Sequence, residues 1–76
     1  MVKIHLDDLP LGTYGKVEVL NCKGAIRRRL LDLGIVNGTT IVPIFKSPSG
    51  DPTAFVIRGS VIALRKEDAN LIVVNV

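Results

Sequence analysis

The chain has 76 residues, of which 47% are hydrophobic, and ten basic against seven acidic side chains give it a net charge of +3. This length indicates one domain, residues 1–76, stabilised by apolar packing, because one cysteine and one histidine allow neither an intramolecular disulfide nor a usual four-ligand zinc site. So mild a charge does not by itself recruit nucleic acid or a membrane surface.

The first predicted strand covers residues 16–20, where Val17 and Val19 alternate with polar residues. The residues before it lack the apolar core of a signal peptide, and no run of the chain approaches the roughly 20 apolar residues that a membrane helix needs. Together with the unpaired Cys22, these features lead us to expect a reducing, cytoplasmic setting.

A helix is predicted from about residue 24 to residue 33. Its apolar stripe, spaced i, i+4, i+7, consists of Ile26, Leu30 and Leu33. Gly34 follows the stripe and suits a left-handed C-terminal cap. Arg28 and Asp32 are spaced to pair on the opposite face, and Leu31 lies off the stripe, so we expect it to be exposed on a surface helix.

Four more strands are predicted over residues 40–46, 53–57, 61–64 and 71–76. Pro43 cannot donate to a strand ladder, so the second strand should have an edge or a bulge there. Residues 47–52 have the composition of a loop, and residues 65–70 of one helical turn. Five short strands in so short a chain indicate a small closed or half-closed β-barrel, with the helix covering one end.

The helix surface offers the first candidate contact residues. Arg27 and Arg28 point away from the apolar stripe, where guanidinium groups can bind phosphate or an acidic partner surface. The alternative is a solvated face near the helix C-terminus, where the helix dipole favours cations. Leu31 joins this candidate surface, whereas Arg29 borders the stripe and should lay its aliphatic stem on the core.

The loop after the second strand offers the other candidate contacts: Pro48, Ser49, Gly50, Asp51 and Pro52. A loop on a rigid scaffold often carries function, although Asp51 is most simply a turn residue.

Other chemistry-bearing residues do not form a recognisable site. His5, Asp7 and Asp8 have no distant partner to complete a metal shell, so we expect an exposed terminal segment. Cys22 is expected to be a small, partly buried core residue, since no second cysteine is present. The aromatic residues are too scattered for stacking bases and are expected in the core or at the barrel rim; they are Tyr14, Phe45 and Phe55.

The order and spacing of several short motifs make the chain resemble the FeoA family of ferrous iron transport accessory proteins. The motifs lie at residues 9–12, 28–35, 38–39, 48–52, 58–59 and 62–67, within a resemblance that covers residues 9–74.

Two positions depart from the family pattern. Asn37 stands where proline is frequent and should keep the turn, because asparagine tolerates positive φ. Ser49 stands where an apolar residue is frequent in the family. If the loop of family members binds a partner through that apolar residue, this chain lacks the contact.

The resemblance implies an SH3-like barrel of about five strands, mainly β, with one short α-helix between the first two strands. It also implies a non-enzymatic role beside FeoB, the membrane ferrous iron transporter with a cytosolic nucleotide-binding domain. We therefore expect no cofactor, no metal site, contact with the membrane only through the transporter, and self-association as an open question. Iron-dependent repressors of the diphtheria toxin repressor family end in a similar domain. We do not expect this chain to be such a repressor, because its 76 residues leave no room for their winged-helix portion.

Two other functions compete with this interpretation. A nucleic-acid-binding barrel is favoured by the basic helix and a pI near 9.4, but scarce aromatics, mild charge and interleaved acids oppose it, so no nucleic acid is expected. A steep salt dependence of binding would identify it. An enzyme ranks last because the chain has no credible pair of base and nucleophile.

Overall fold

The computed structural model describes residues 2–76 as one six-stranded antiparallel sheet with two helices. The strands are β1 (Lys3–His5), β2 (Gly15–Leu20), β3 (Thr40–Lys46), β4 (Thr53–Ile57), β5 (Ser60–Leu64) and β6 (Ile72–Asn75), in the sheet order β1-β6-β2-β3-β4-β5. The helices are α1 (Gly24–Asp32), between β2 and β3, and α2 (Lys66–Ala69), between β5 and β6. A single 3-10 turn, Leu6–Asp8, follows β1.

The predicted mainly β fold with a helix is confirmed, but the strand count and the barrel closure need correction. The sheet has six strands rather than five, and it stays open, since β1 and β5 are its two ends. The extra strand is β1, where we expected an exposed terminal segment. Two of its three residues are polar, and so short a segment gives no recognisable strand pattern. The strand forms because Ile4 pairs with Val74 of β6, which is distant in the chain.

One apolar cluster fills the space between the sheet, the 3-10 turn and the helices. Its buried members are Leu6, Leu9, Val17, Leu30, Ile35, Ile41, Phe55, Ile57, Leu64, Ala69, Ile72 and Val74. Each large side chain fully buried there contributes about 1.5–3 kcal/mol relative to an exposed one. Cys22 packs half-buried against this cluster, as expected.

Helix α1 reaches the core only through its C-terminal end. Leu30 is fully buried, whereas Ile26, predicted on the same stripe, is 44% exposed, so the stripe is wrong at its first position. The helix then ends at Gly34 as predicted. The N–H of Gly34 donates to the carbonyl of Leu31 at 2.9 Å and the N–H of Ile35 to that of Leu30 at 3.0 Å. These two bonds form a Schellman motif, which buries Ile35 beside Leu30.

The segment after α1 is held against β2 by side-chain and backbone hydrogen bonds. The Asn37 Nδ2 atom donates to the carbonyl of Glu18 at 2.7 Å, and the N–H of Gly38 donates to that of Val17 at 2.7 Å. Gly38 has a φ of +89°, whereas Asn37 does not lie in the left-handed region. Asn37 therefore keeps this turn through its amide group and not, as expected, through positive φ.

A bulge interrupts the pairing of β3 with β4 at Pro43, as predicted. Pro43 pairs with Phe55 and Phe45 pairs with Ala54, which leaves Ile44 unpaired between them. Two consecutive side chains, Ile44 and Phe45, are exposed as a result.

Candidate functional site

The solvent face of α1 brings three of the predicted contact residues together. Arg27, Arg28 and Leu31 line one shallow depression, with Gly24 and Asp32 beside them. Residues three and four apart lie on the same side of a helix, which explains the grouping. Leu31 is 38% exposed, in agreement with the expectation that it faces solvent.

The two arginines of this face differ in their surroundings. The Arg27 Nη1 atom donates to the carbonyl of Leu20 at 3.2 Å, which places its guanidinium near the end of β2. Arg28 makes no hydrogen bond or ion pair with any residue in the range 2–76, and the pair with Asp32 that its spacing allows is not formed. Arg28 is therefore the arginine whose donors are available to a partner.

Arg29 has a structural contact that the sequence did not reveal. Its Nη2 atom lies 2.6 Å from Oδ2 of Asp68, so an ion pair joins α1 to α2. Exposed ion pairs of this kind contribute about 0.2–1 kcal/mol. The partners lie 39 positions apart, and no local pattern relates them. We therefore treat Arg29 as a link between the two helices and not as a partner contact.

The loop between β3 and β4 is organised by its own hydrogen bonds. The N–H of Ser47 donates to the carbonyl of Pro52 at 3.1 Å, and that of Gly50 donates to Ser47 at 2.8 Å. Within the loop, the Ser49 hydroxyl donates to the carbonyl of Asp51 at 3.0 Å. The exposed tip, which includes Pro48, thus has a defined conformation before any partner binds.

Asp51 connects this loop to α2. Its Oδ1 atom accepts a hydrogen bond from the backbone N–H of Lys66 at 2.8 Å. Lys66 is the first residue of α2, whose N-terminal N–H groups lack partners within the helix. Asp51, which we expected to be a simple turn residue, therefore also caps a helix that lies 15 positions away.

We expect Asp51→Ala to destabilise the fold by about 0.5–2 kcal/mol, the usual cost of losing a side chain that caps a helix. Chemical denaturation of both proteins would measure the loss. Asp51→Asn is the matched control, because its amide oxygen still accepts the hydrogen bond, and it should retain most of the stability. Equal losses of stability in both variants would mean that the hydrogen bond to Lys66 does not account for the contribution of Asp51.

The helix face and the loop are two separate surfaces. Gly50 lines a cavity of about 250 Å³ between the 3-10 turn, the ends of β3 and β4, and α2. The charged residues that line this cavity are Asp7, Asp8, Lys46 and Lys66. None of the α1 residues borders it, so the eight predicted contact residues do not form one site.

The residues considered for other chemistry are dispersed. His5 ends β1, whereas Asp7 and Asp8 lie in the 3-10 turn. Within residues 2–76, no three histidine, cysteine or acidic side chains are grouped so that they can hold a metal ion. Of the three aromatic residues expected in the core or at the rim, Phe55 is in the core, whereas Tyr14 and Phe45 are exposed.

Neither helix in the described part of the chain is long and apolar enough to cross a membrane.

Comparison with known proteins decides the family. The family model of the FeoA domain matches residues 4–76. The chain belongs to the FeoA family. Its predicted membership of this ferrous iron transport family is thereby confirmed.

A curated relative contains a similar domain within a larger protein. It is the Fe(2+) transport protein A/Fe(2+) transporter FeoB fusion protein of Porphyromonas gingivalis, which is 32% identical over 66 residues. The match covers 87% of the present chain but 8% of that protein. The present chain therefore corresponds to a small part of the fusion protein.

Two solved structures of FeoA proteins have the same fold over nearly the whole chain. The FeoA-like protein of Clostridium acetobutylicum is 38% identical, with a TM-score of 0.89 over 97% of this chain and 86% of that one. The FeoA of Stenotrophomonas maltophilia in complex with zinc, an SH3 domain protein, is 34% identical, with a TM-score of 0.84 over 95% and 89%. The SH3-like fold expected from the resemblance is thus confirmed, with an open sheet.

Proposed function

We propose that this FeoA protein is a cytoplasmic accessory protein of ferrous iron uptake that binds the cytosolic domain of a FeoB-type transporter. The observation that carries the proposal is the fusion of a related domain to FeoB in one chain. Fusion keeps two modules at a high effective concentration. Where the modules are separate chains, surface contacts have to provide the association that the linker provides in the fusion.

The solvent face of α1 is the first proposed contact. The core does not need Arg27, Arg28 or Leu31, whose side chains line an exposed depression. Guanidinium groups present several donors in a planar arrangement that fits carboxylates and phosphates. Charges at the rim of an interface mainly accelerate association, while an apolar residue beside them adds buried area.

The β3–β4 loop is the second proposed contact, through Pro48, Ser49, Gly50, Asp51 and Pro52. Its internal hydrogen bonds and the bond from Lys66 to Asp51 define its conformation in the free protein. A preorganised loop loses less conformational entropy on binding. In this chain, Asp51 acts by holding the loop, and the exposed Pro48 and Ser49 are the residues offered to the partner.

The proposal is tested by reversing two charges. Arg27→Glu combined with Arg28→Glu should slow association with the cytosolic domain of the FeoB transporter about tenfold at low salt, because the guiding charge is inverted. Surface plasmon resonance measures both rates, and circular dichroism checks the fold. Lys3→Glu with Lys16→Glu is the matched control, since it changes the net charge equally at exposed positions on the sheet.

The control pair should associate faster than the arginine pair. If both pairs slow association equally, the effect is one of net charge and α1 is not the contact. Unchanged rates and affinity in the arginine pair would show that this helix face is merely solvated.

A further inference from the structure

Helix α1 is exposed to solvent over most of its surface. Of its nine residues, Leu30 is buried and the other eight are exposed. Helices shorter than about 12 residues are marginal in water unless tertiary contacts stabilise them. The helix therefore becomes more stable when a second surface covers its solvent face.

The solvent face of α1 carries one free charge of each sign. Arg28 and Asp32 are both exposed, and neither makes a hydrogen bond or an ion pair within residues 2–76. Their spacing allows a pair inside the helix, but the cation precedes the anion, which is the weaker of the two orders. Both side chains are therefore available to groups of another molecule.

The position of Arg28 puts these charges next to an apolar side chain. A helix turns by about 100° per residue, so Asp32 lies about 40° to one side of Arg28 and Leu31 about 60° to the other. All three residues line the same shallow depression. The face thus presents a cation, an anion and an apolar side chain within little more than one turn.

This arrangement is complementary to itself. In a symmetric pair of proteins, each contact between two different residues occurs twice. If two α1 helices lie antiparallel with the two-fold axis level with Leu30, Arg28 of one copy lies level with Asp32 of the other. The two Leu31 side chains then start within about 3 Å of each other along the helix direction. The paired faces would join two leucines at the centre and two ion pairs beside them.

Charge favours a second copy of the chain over a partner of uniform charge. A uniformly acidic surface would bring like charge against Asp32, and a uniformly basic one would do so against Arg28. Like charges placed opposite each other weaken an interface. A second copy presents both signs in the order that the first copy requires.

We propose that this protein self-associates through antiparallel pairing of α1, with Arg28 of each copy bound to Asp32 of the other. One face of so short a helix buries less than the roughly 1,200 Å² of a stable complex, so the dimer is weak and exchanges with the monomer. This pairing goes beyond the proposed function. Because the transporter contact is proposed on the same face, the dimer and the transporter complex exclude each other, and only this exclusion rests on the proposed function.

Two charge reversals and their mixture test the pairing. Arg28→Asp and Asp32→Arg each place like charges opposite each other in the dimer, so each should weaken self-association about tenfold. Mixed in equal amounts, the two variants have complementary faces and should associate at least as tightly as the unchanged protein. Sedimentation equilibrium measures the association, and circular dichroism checks that both variants are folded.

The location of the contact is read by two-dimensional NMR of the ¹⁵N-labelled protein between micromolar and millimolar concentration. Concentration-dependent shifts should occur at the amides of residues 24–36. Lys16→Asp is the matched control, since it changes the net charge as Arg28→Asp does at an exposed position on the sheet, and it should associate as the unchanged protein does. Shifts elsewhere, no dependence on concentration, equal weakening by Lys16→Asp, or a mixture that associates no better than its components would overturn the proposal.

The cytosolic domain of FeoB separates this inference from the proposed function. If both hold, adding the domain converts dimers into complexes with one copy of this protein. If the dimer forms and the domain does not bind, the pairing is supported and the proposed partner fails. If the domain binds without affecting the dimer, the pairing is supported and α1 is not the transporter contact. If the domain binds and no dimer forms, the pairing fails and the proposed function remains.

Discussion

Leu30→Ala is expected to destabilise the protein by about 2–5 kcal/mol. Leu30 is fully buried in the apolar cluster and contributes the side chain through which α1 reaches the core. It also packs beside Ile35 in the Schellman motif that ends the helix. Truncation therefore removes apolar contacts and leaves a cavity where the helix, its cap and the sheet meet.

Leu31→Ala is the matched comparison, because it makes the same chemical change at the next position of the same helix. Its side chain is 38% exposed, and we expect a loss below about 1 kcal/mol. Urea denaturation followed by circular dichroism would measure both free energies of unfolding. Equal and large losses would mean that the helix is buried on two sides, and Leu31 would then leave the set of proposed partner contacts.

Gly34→Ala is expected to have the second largest effect on stability. Gly34 has a φ of +90°, a conformation that costs a residue with a Cβ atom about 1–2 kcal/mol. A Cβ atom added there would also lie 2.9 Å from Cδ of Arg58, in the turn between β4 and β5. The Arg58 side chain is flexible at that point and can move, so most of the expected loss comes from the backbone.

The two contributions can be separated by removing the arginine side chain. In an Arg58→Ala background, Gly34→Ala should still cost about 1–2 kcal/mol, because the backbone strain remains. Gly34→Asn should cost less than Gly34→Ala, since asparagine adopts positive φ more readily. If the cost of Gly34→Ala disappears in the Arg58→Ala background, steric contact and not the backbone is its cause.

The candidate contacts on α1 could be predicted because helix geometry is local. The spacing of Arg27, Arg28 and Leu31 places them on one side of any helix, whatever packs against it. The role of Asp51 could not be predicted in the same way. Its hydrogen bond to Lys66 depends on where the β3–β4 loop lies relative to α2, and that position is set by the pairing of β3, β4 and β5.

Strand β4 shows a different limit of sequence analysis. Residues 53–57 are mostly apolar on both sides of the strand, so alternation alone does not tell which side faces the core. The structure places Phe55 and Ile57 inside and Val56 outside. An apolar residue on the solvent side looks the same in sequence as one in the core, and only the packing of the strand distinguishes them.

The features that could be predicted from the sequence are those that depend on near neighbours along the chain. These are the strands of the second half, the helix ended by Gly34, the bulge at Pro43 and the family motifs. Three other features became visible only in the folded protein: β1 pairs with β6, the sheet stays open, and Arg29 pairs with Asp68. Those contacts join residues far apart in the chain. They stabilise the protein only after the sheet has brought the residues together, so no local sequence pattern predicts them.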